Sequence, residues 1–171
     1  VSAPLYQLAW TAVATTTTSV EAGDWLLVQA DSCESSWLQE NLASAGARVH
    51  CLTLADANVA DWAVQVNAAL QEKNWRGLIL QIDALSSLDA TTYSCTLKNI
   101  ERCRLLLELW EVHCAGETSR AQRGLWLVTP AMHAESALAL APLQGFVKGA
   151  SLEKRLAWGG YLELKDNTAA S

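Results

Sequence analysis

The chain has 171 residues, with 18 acidic and 12 basic side chains and a formal net charge of −6. This length suits one domain with its own core, and the acidic balance argues against a nucleic acid partner. Neither a membrane-length apolar run nor a signal peptide is recognisable, and the five cysteines form no Cys-x-x-Cys pair. We therefore expect no membrane partner, reduced thiols and a cytoplasmic location.

Residues 1–10 are predicted to form a strand that pairs with a neighbouring domain. The segment LYQLAW alternates its side chains between two faces, and the predicted interdomain interface consists of Leu5, Tyr6, Leu8 and Trp10. Residues 11–23 are Thr-rich, show no helical period and are predicted to be a linker. Residues 24–171 are predicted to form the main domain.

Two periodicities alternate through that main domain. The short apolar segments predicted as strands are residues 25–30, 47–54, 76–83, 124–129 and 160–164. The longer amphipathic runs predicted as helices are residues 35–46, 58–73, 91–115 and 142–156. Alternating strands and helices imply βαβ crossovers, so we predict an α/β fold with an open, mostly parallel sheet and helices on both faces.

Individual residues within the helical runs have predicted roles. Ser35 is expected to cap the first helix and Gly46 to end it. The apolar positions of the second helix are Val59, Trp62, Val66 and Leu70. Those of the third helix are Leu97, Ile100, Cys103, Leu107, Trp110 and Cys114.

The turn after the first of these strands does not fit a dinucleotide. A dinucleotide-binding strand runs into a glycine-rich turn, where the backbone approaches the pyrophosphate. Here the strand runs into QADSCESSW, which has no glycine and places Asp31 and Glu34 where phosphate charges would lie. The sequence contains no Gly-x-Gly-x-x-Gly motif or P-loop elsewhere. We therefore predict no cofactor in this segment.

Tyr161 and Lys165 have the Tyr-x-x-x-Lys spacing of short-chain reductases. In a reductase the two side chains meet because they are four residues apart on a helix. Here they follow Gly159-Gly160 in an alternating segment, which predicts a strand with Tyr161, Glu163 and Lys165 facing solvent. Residues four apart on a strand are about 13 Å apart, too far for a shared proton relay.

Two other groups of residues contain side chains of the kind that bind metal ions. Asp31 and Asp83 end predicted strands, as the Mg²⁺ ligands of receiver domains do, although Thr129 and Pro130 stand where such a domain has a lysine. Cys103, His113 and Cys114 fit no familiar zinc spacing. We predict no metal site and no catalytic residue in this segment.

Several blocks, taken in order, resemble the structural subdomain of modular polyketide synthase ketoreductases over essentially the whole chain. They are LYQLAW, GDWLLVQAD, RGLILQIDAL, RGLWLVTPAM and PLQGFVKGASLEKRLAWGGYLEL. The last block is the most specific, and its family-signature positions are Gly145, Glu153, Trp158, Gly159 and Gly160. The chain departs from the family at Lys148, where an Arg is usual, and at Lys154-Arg155, where His-Pro is usual.

The resemblance implies a truncated Rossmann-like fold that binds no cofactor and braces a second half carrying NADPH and the active site. It implies neighbouring polyketide synthase domains as partners: a ketoreductase catalytic half, an enoylreductase or methyltransferase, and an acyl carrier protein. We therefore predict a non-catalytic structural subdomain, or a pseudo-ketoreductase. The alternatives are an NADPH-dependent β-ketoacyl reductase using Tyr161 and Lys165, and a receiver-like module using Asp31 and Asp83.

Overall fold

Five strands and four helices alternate along the described part of the chain, as the periodicities predict. The computed structural model describes residues 23–30, 36–55, 58–82, 90–115, 123–130, 134–154 and 156–164. The strands are β1 Asp24–Ala30, β2 Arg48–Leu54, β3 Gly77–Gln81, β4 Leu125–Pro130 and β5 Trp158–Leu164. The helices are α1 Ser36–Ser44, α2 Val59–Glu72, α3 Ala90–Ala115 and α4 Ala134–Glu153. The predicted N-terminal strand, residues 1–10, lies outside the described residues.

The strands form one open sheet in the order β2-β1-β3-β4-β5. Every pairing among them is parallel, because each connection includes a helix that returns the chain to the same end of the sheet. The strand order reverses direction between β1 and β3, which pair with each other although β2 lies between them in sequence. That reversal defines the switch point of the sheet.

Helices cover both faces of the sheet unequally. The larger core lies between one face and α2, α3 and α4, and its largest buried side chains include Trp62, Leu80, Trp110 and Leu127. The smaller core lies on the opposite face, where Leu38 of α1 packs with side chains of β1, β3 and β4. The predicted mostly parallel sheet with helices on both faces is confirmed.

The helix ends depend on local backbone chemistry. At the end of α1, Gly46 adopts φ 94°, its N–H donates to the carbonyl of Ala43 at 2.9 Å, and Ala47 donates to Leu42 at 3.0 Å. This confirms Gly46 as the predicted C-cap. At the start of α2, the side-chain oxygen of Asn58 accepts from the backbone N–H of Ala60 at 3.0 Å. Ser35, the predicted N-cap of α1, lies outside the described residues.

Helix α4 differs from its prediction. It was expected over residues 142–156, but it begins at Ala134, contains Pro142 in its interior and ends at Glu153. A proline is most often found in the first turn, which suggested a start there. The alanines and leucines before it favour a helix strongly enough to continue through the proline. Among the described helices, none is long and apolar enough to cross a bilayer.

The first half of α3 differs from its prediction at Leu97 and buries polar side chains, although Ile100 packs against the larger core as expected. Leu97, expected inside, is 47% exposed, whereas Thr96, Asn99 and Arg102 are buried. The guanidinium of Arg102 lies 4.3 Å from the centroid of the Trp62 ring, and its Nη1 donates to Asn99 Oδ1 at 3.3 Å. A cation stacked on an aromatic ring is favourable, and this contact keeps the polar side of α3 against α2.

We expect the two buried tryptophans on α2 and α3 to tolerate phenylalanine differently. Trp62 Nε1 donates to the carbonyl of Ala55 at 2.9 Å, whereas Trp110 Nε1 is buried with no hydrogen-bond partner among the described residues. Both substitutions lose ring volume, but only Trp62→Phe also loses a hydrogen bond and weakens the stacking of Arg102. Urea unfolding should show Trp62→Phe costing about 1–2 kcal/mol more than Trp110→Phe. Equal losses of unfolding free energy in the two variants would contradict the stabilising role of the Trp62 hydrogen bond and of its contact with Arg102.

Candidate functional site

The carboxyl edge of the sheet at the β1–β3 switch point is where open α/β sheets bind ligands. Gln29 of β1 is in register with Gln81 of β3, and both lie one residue or less from the end of their strands. Gln29 Nε2 donates to Thr53 Oγ1 of β2 at 3.3 Å, so three polar side chains occupy one row at this edge.

The two carboxamide oxygens of this row are buried. Within the described part of the chain, neither Gln29 Oε1 nor Gln81 Oε1 has a hydrogen-bond partner. A buried oxygen of this kind attracts a hydrogen-bond donor and repels another acceptor. The switch point therefore contains two buried acceptors for which the described residues supply no donor.

Three carboxylates are predicted at this edge of the sheet. Asp31 and Glu34 follow β1, and Asp83 follows β3, but all three lie outside the described residues. Their roles in excluding a diphosphate, or in a receiver-like site, stay predictions. No group of three or more His, Cys, Asp or Glu side chains suited to a metal is found among the residues that the structure describes.

The thiol considered for zinc belongs to the core. Cys103 is fully buried on α3, and burial raises its pKa to about 12. The ring of His113 packs against Trp110, with 5.3 Å between ring centroids.

Tyr161 lies in the middle of β5, opposite Leu127 of β4. The predicted strand is confirmed and Glu163 is exposed as predicted, but the prediction that Tyr161 faces solvent is wrong. Tyr161 packs, half-buried, against the larger core, and its hydroxyl shares a 3.0 Å hydrogen bond with Thr129 Oγ1, whereas Leu162 is 47% exposed. Tyr161 turns inward because α4 covers that face of β5, while the smaller core on the other face includes no β5 side chain that the structure describes.

The environment of Tyr161 favours its neutral form. Burial raises the pKa of its phenol, the hydrogen bond with Thr129 opposes that shift, and the nearby Glu163 carboxylate adds to it. A catalytic tyrosine of a reductase needs the opposite shift, toward easier proton release. Lys165 lies outside the described residues.

The signature residues Gly159 and Gly160 make room for Trp126 of β4. A Cβ on Gly160 would lie 2.6 Å from Trp126 Cζ3, and one on Gly159 would lie 2.5 Å from both Trp126 Nε1 and the carbonyl oxygen of Arg123. The indole is fixed, because Nε1 donates to the carbonyl of Arg123 at 3.1 Å. The same contact recurs between Trp25 of β1 and Gly77 of β3.

The other signature residues have separate places. Trp158 begins β5 opposite Leu125 and packs partly against the larger core. Gly145 is exposed on α4, with nothing within 4 Å of an added Cβ, and Glu153 is exposed at the end of that helix. The predicted interface residues of the N-terminal strand, Leu5, Tyr6, Leu8 and Trp10, lie outside the described residues.

Sequence reasoning missed a charged cluster at the amino end of the sheet. Asp24 of β1 forms an ion pair with Arg48 of β2 at 2.7 Å and lies 2.8 Å from His50 Nε2. Hydrogen bonds from Arg48 and then His50 hold the pKa of Asp24 well below its usual range. Lys73 Nζ lies 3.1 Å from the His50 ring and 5.6 Å from the centroid of Trp75. Only the parallel register of β1 and β2 reveals these neighbours, because 24 residues separate Asp24 from Arg48.

Comparison with known proteins gives structural neighbours only. No family model and no curated protein matches the sequence. The chain is similar to a C2-type ketoreductase from a modular polyketide synthase, with 21% identity and a TM-score of 0.64 over 90% of this chain and 34% of that one. It is also similar to A-type ketoreductases from a modular polyketide synthase, with 21% identity and a TM-score of 0.58 over 86% of this chain and 32% of that one.

The chain thus spans about a third of the length of the ketoreductase structures that it matches. At this level of identity the likeness concerns the fold. The five-stranded parallel sheet and four helices are those of a Rossmann-like fold shared with part of these ketoreductases.

Proposed function

We propose that this chain is a non-catalytic structural subdomain of a polyketide synthase. It braces a ketoreductase catalytic half, or stands as a pseudo-ketoreductase beside another modifying domain. The observation that carries the proposal is the position of Tyr161. Tyr161 lies on a strand, packs against the larger core and forms a hydrogen bond with the hydroxyl of Thr129. Because Tyr161 is not on a helix, it cannot form the Tyr-Lys pair that moves a proton to a ketone in short-chain reductases.

The switch point supports the same proposal. The sequence places no glycine between Ala30 and Trp37, where a dinucleotide fold needs close backbone approach. The buried oxygens of Gln29 and Gln81 add acceptors at the same edge. These two oxygens accept hydrogen bonds and donate none, so they could not bind phosphate oxygens.

The proposal assigns cofactor and partners to other parts of the parent protein. NADPH binds the catalytic half, where one is present, and not this segment. The partners are the neighbouring synthase domains: the catalytic half, an enoylreductase or methyltransferase, and an acyl carrier protein. The N-terminal segment, with Leu5, Tyr6, Leu8 and Trp10, pairs with one of these neighbours in a cytoplasmic assembly.

A titration of the 171-residue chain with NADPH tests the proposal. We expect no saturable change in nicotinamide or tryptophan fluorescence, because the turn after β1 contains no glycine and the sequence has no Gly-x-Gly-x-x-Gly motif or P-loop. Tyr161→Phe is the matched variant, since it removes one hydroxyl and keeps the ring that packs against the core. Under the proposal neither protein reduces a simple cyclic ketone. Micromolar NADPH binding, or turnover that disappears in Tyr161→Phe, would establish the reductase alternative instead.

A further inference from the structure

The part of the α1 face formed by β4 and β5 is an incompletely covered apolar surface. We call Trp126, Gly160 and Leu162 the β4–β5 surface; Gly160 is in register with Trp126, and Leu162 with the buried Val128. Leu162 is 47% exposed and Trp126 is partly exposed. Parallel sheets are almost always covered on both faces, because βαβ crossovers place helices there.

Helix α1 is too narrow to provide that cover alone. It connects the parallel strands β1 and β2 and so runs back along them, which means that it covers about 10 Å across the sheet, whereas five strands span about 19 Å. Its side chain Leu38 packs in the smaller core, which draws on β1 to β4 and contains no residue of β5 among those described. Within the described ranges, cover is therefore lacking over β5 and the outer side of β4.

The shape of the surface suits a packed helix. Because Gly160 has no side chain, the Trp126 ring lies directly against the β5 backbone. The result is a flat apolar area with Leu162 beside it. The opposite face of β5 is already occupied, since Tyr161 packs there against the larger core and α4 contacts the strand.

We propose that the β4–β5 surface binds an amphipathic helix formed by the polypeptide that follows β5 in the parent protein. The chain leaves β5 after Leu164 at the carboxyl end of the sheet. A helix that returns antiparallel to β5 on the face away from α4 would pack on the β4–β5 surface. This inference rests on the proposed function, which has further ketoreductase or modifying-domain polypeptide after β5. The length of the matched ketoreductases, about three times that of this chain, agrees with it.

Oxidative footprinting of the 171-residue chain and of the parent polypeptide tests the proposal. Trp126 and Leu162 should be oxidised readily in the shorter protein and several-fold more slowly in the longer one. Leu152, a leucine on α4 that is 68% exposed, is the internal reference and should react equally in both. Equal oxidation of Trp126 and Leu162 in the two proteins, or a gene that stops at Ser171, would overturn the proposal.

Paired substitutions give a second, independent measurement. Leu162→Glu should lower the melting temperature of the parent polypeptide by about 5 °C or more, because a carboxylate would be buried under the helix. The matched Leu152→Glu should shift it far less, and both variants should behave alike in the 171-residue chain. A 171-residue chain that sediments as a dimer, and becomes a monomer in Leu162→Glu, would instead assign the surface to a second copy.

Failure of the helix proposal can be distinguished from failure of the proposed function. Saturable NADPH binding would refute the non-catalytic role, whatever happens at Trp126. Unprotected Trp126 in a parent polypeptide, together with no NADPH binding by the 171-residue chain, would refute only the helix.

Discussion

Gly124→Ala is expected to destabilise the protein by about 3–5 kcal/mol, since left-handed backbone strain and an unrelieved clash add together. Gly124 precedes β4 with φ 77°, and an added Cβ would lie 2.5 Å from the amide nitrogen of Gly159 and 2.9 Å from the carbonyl oxygen of Ala157. All the nearest atoms are backbone, so no side chain can rotate away. The loss is a large fraction of the stability of an ordinary domain.

Gly46→Ala is the control for that experiment. Gly46 also has a positive φ, 94°, but nothing lies within 4 Å of the position of an added Cβ. The strain alone should cost about 1–2 kcal/mol. Urea unfolding of the two variants measures the difference, and similar losses would show that the close approach of β5 to Gly124 is not rigid.

The second large effect is expected at the contact between β4 and β5. Gly160→Ala should cost about 2–3 kcal/mol, because its Cβ would lie 2.6 Å from the Trp126 ring, which a hydrogen bond to Arg123 holds in place. In a Trp126→Leu background the same change should cost much less. A double-mutant cycle by urea unfolding measures the coupling between the two residues.

Gly145→Ala is the matched control among the signature glycines. Gly145 is exposed on α4 with open space around it, so alanine should stabilise the helix by about 0.5–1 kcal/mol. In the double-mutant cycle, Gly160→Ala could instead lower stability equally with Trp126 and with leucine at position 126. Steric contact with the indole would then not be the reason that glycine is needed at position 160.

The alternation of strands and helices could be predicted because it depends on local periodicity. Each buried strand is a short apolar run, and Gly46 is a strong helix end whatever surrounds it. The order of the strands and the pairing of β1 with both β2 and β3 follow from crossover packing, which periodicity alone does not specify. The prediction therefore stopped at an open, mostly parallel sheet and included no strand order.

The direction in which individual side chains face could not be predicted as well. An alternating strand such as β5 shows two faces, but its sequence does not say which one a helix will cover, so Tyr161 was assigned to the wrong side. The prediction that Leu97 lies on the buried side of α3 was wrong for a related reason. The contact of Arg102 with Trp62 holds the polar side of α3 inward. Both errors come from partners that are distant in sequence.

The same limit applies to the candidate site. The glycine-free turn after β1 is visible in the sequence, whereas the unpaired oxygens of Gln29 and Gln81 appear only when β1 and β3 are placed side by side. The glycines of the signature block could be recognised by resemblance. Their physical reason, the Trp126 ring, required the register of β4 and β5.

The central position of β1 has a consequence for synthesis on the ribosome. β1 needs β2 on one side and β3 on the other, and 46 residues separate its end at Ala30 from the start of β3 at Gly77. While the intervening chain is being translated, one side of an apolar strand remains unpaired. Such contacts between distant residues form late and slowly, so the nascent chain passes through an interval in which chaperone binding would favour correct folding over aggregation.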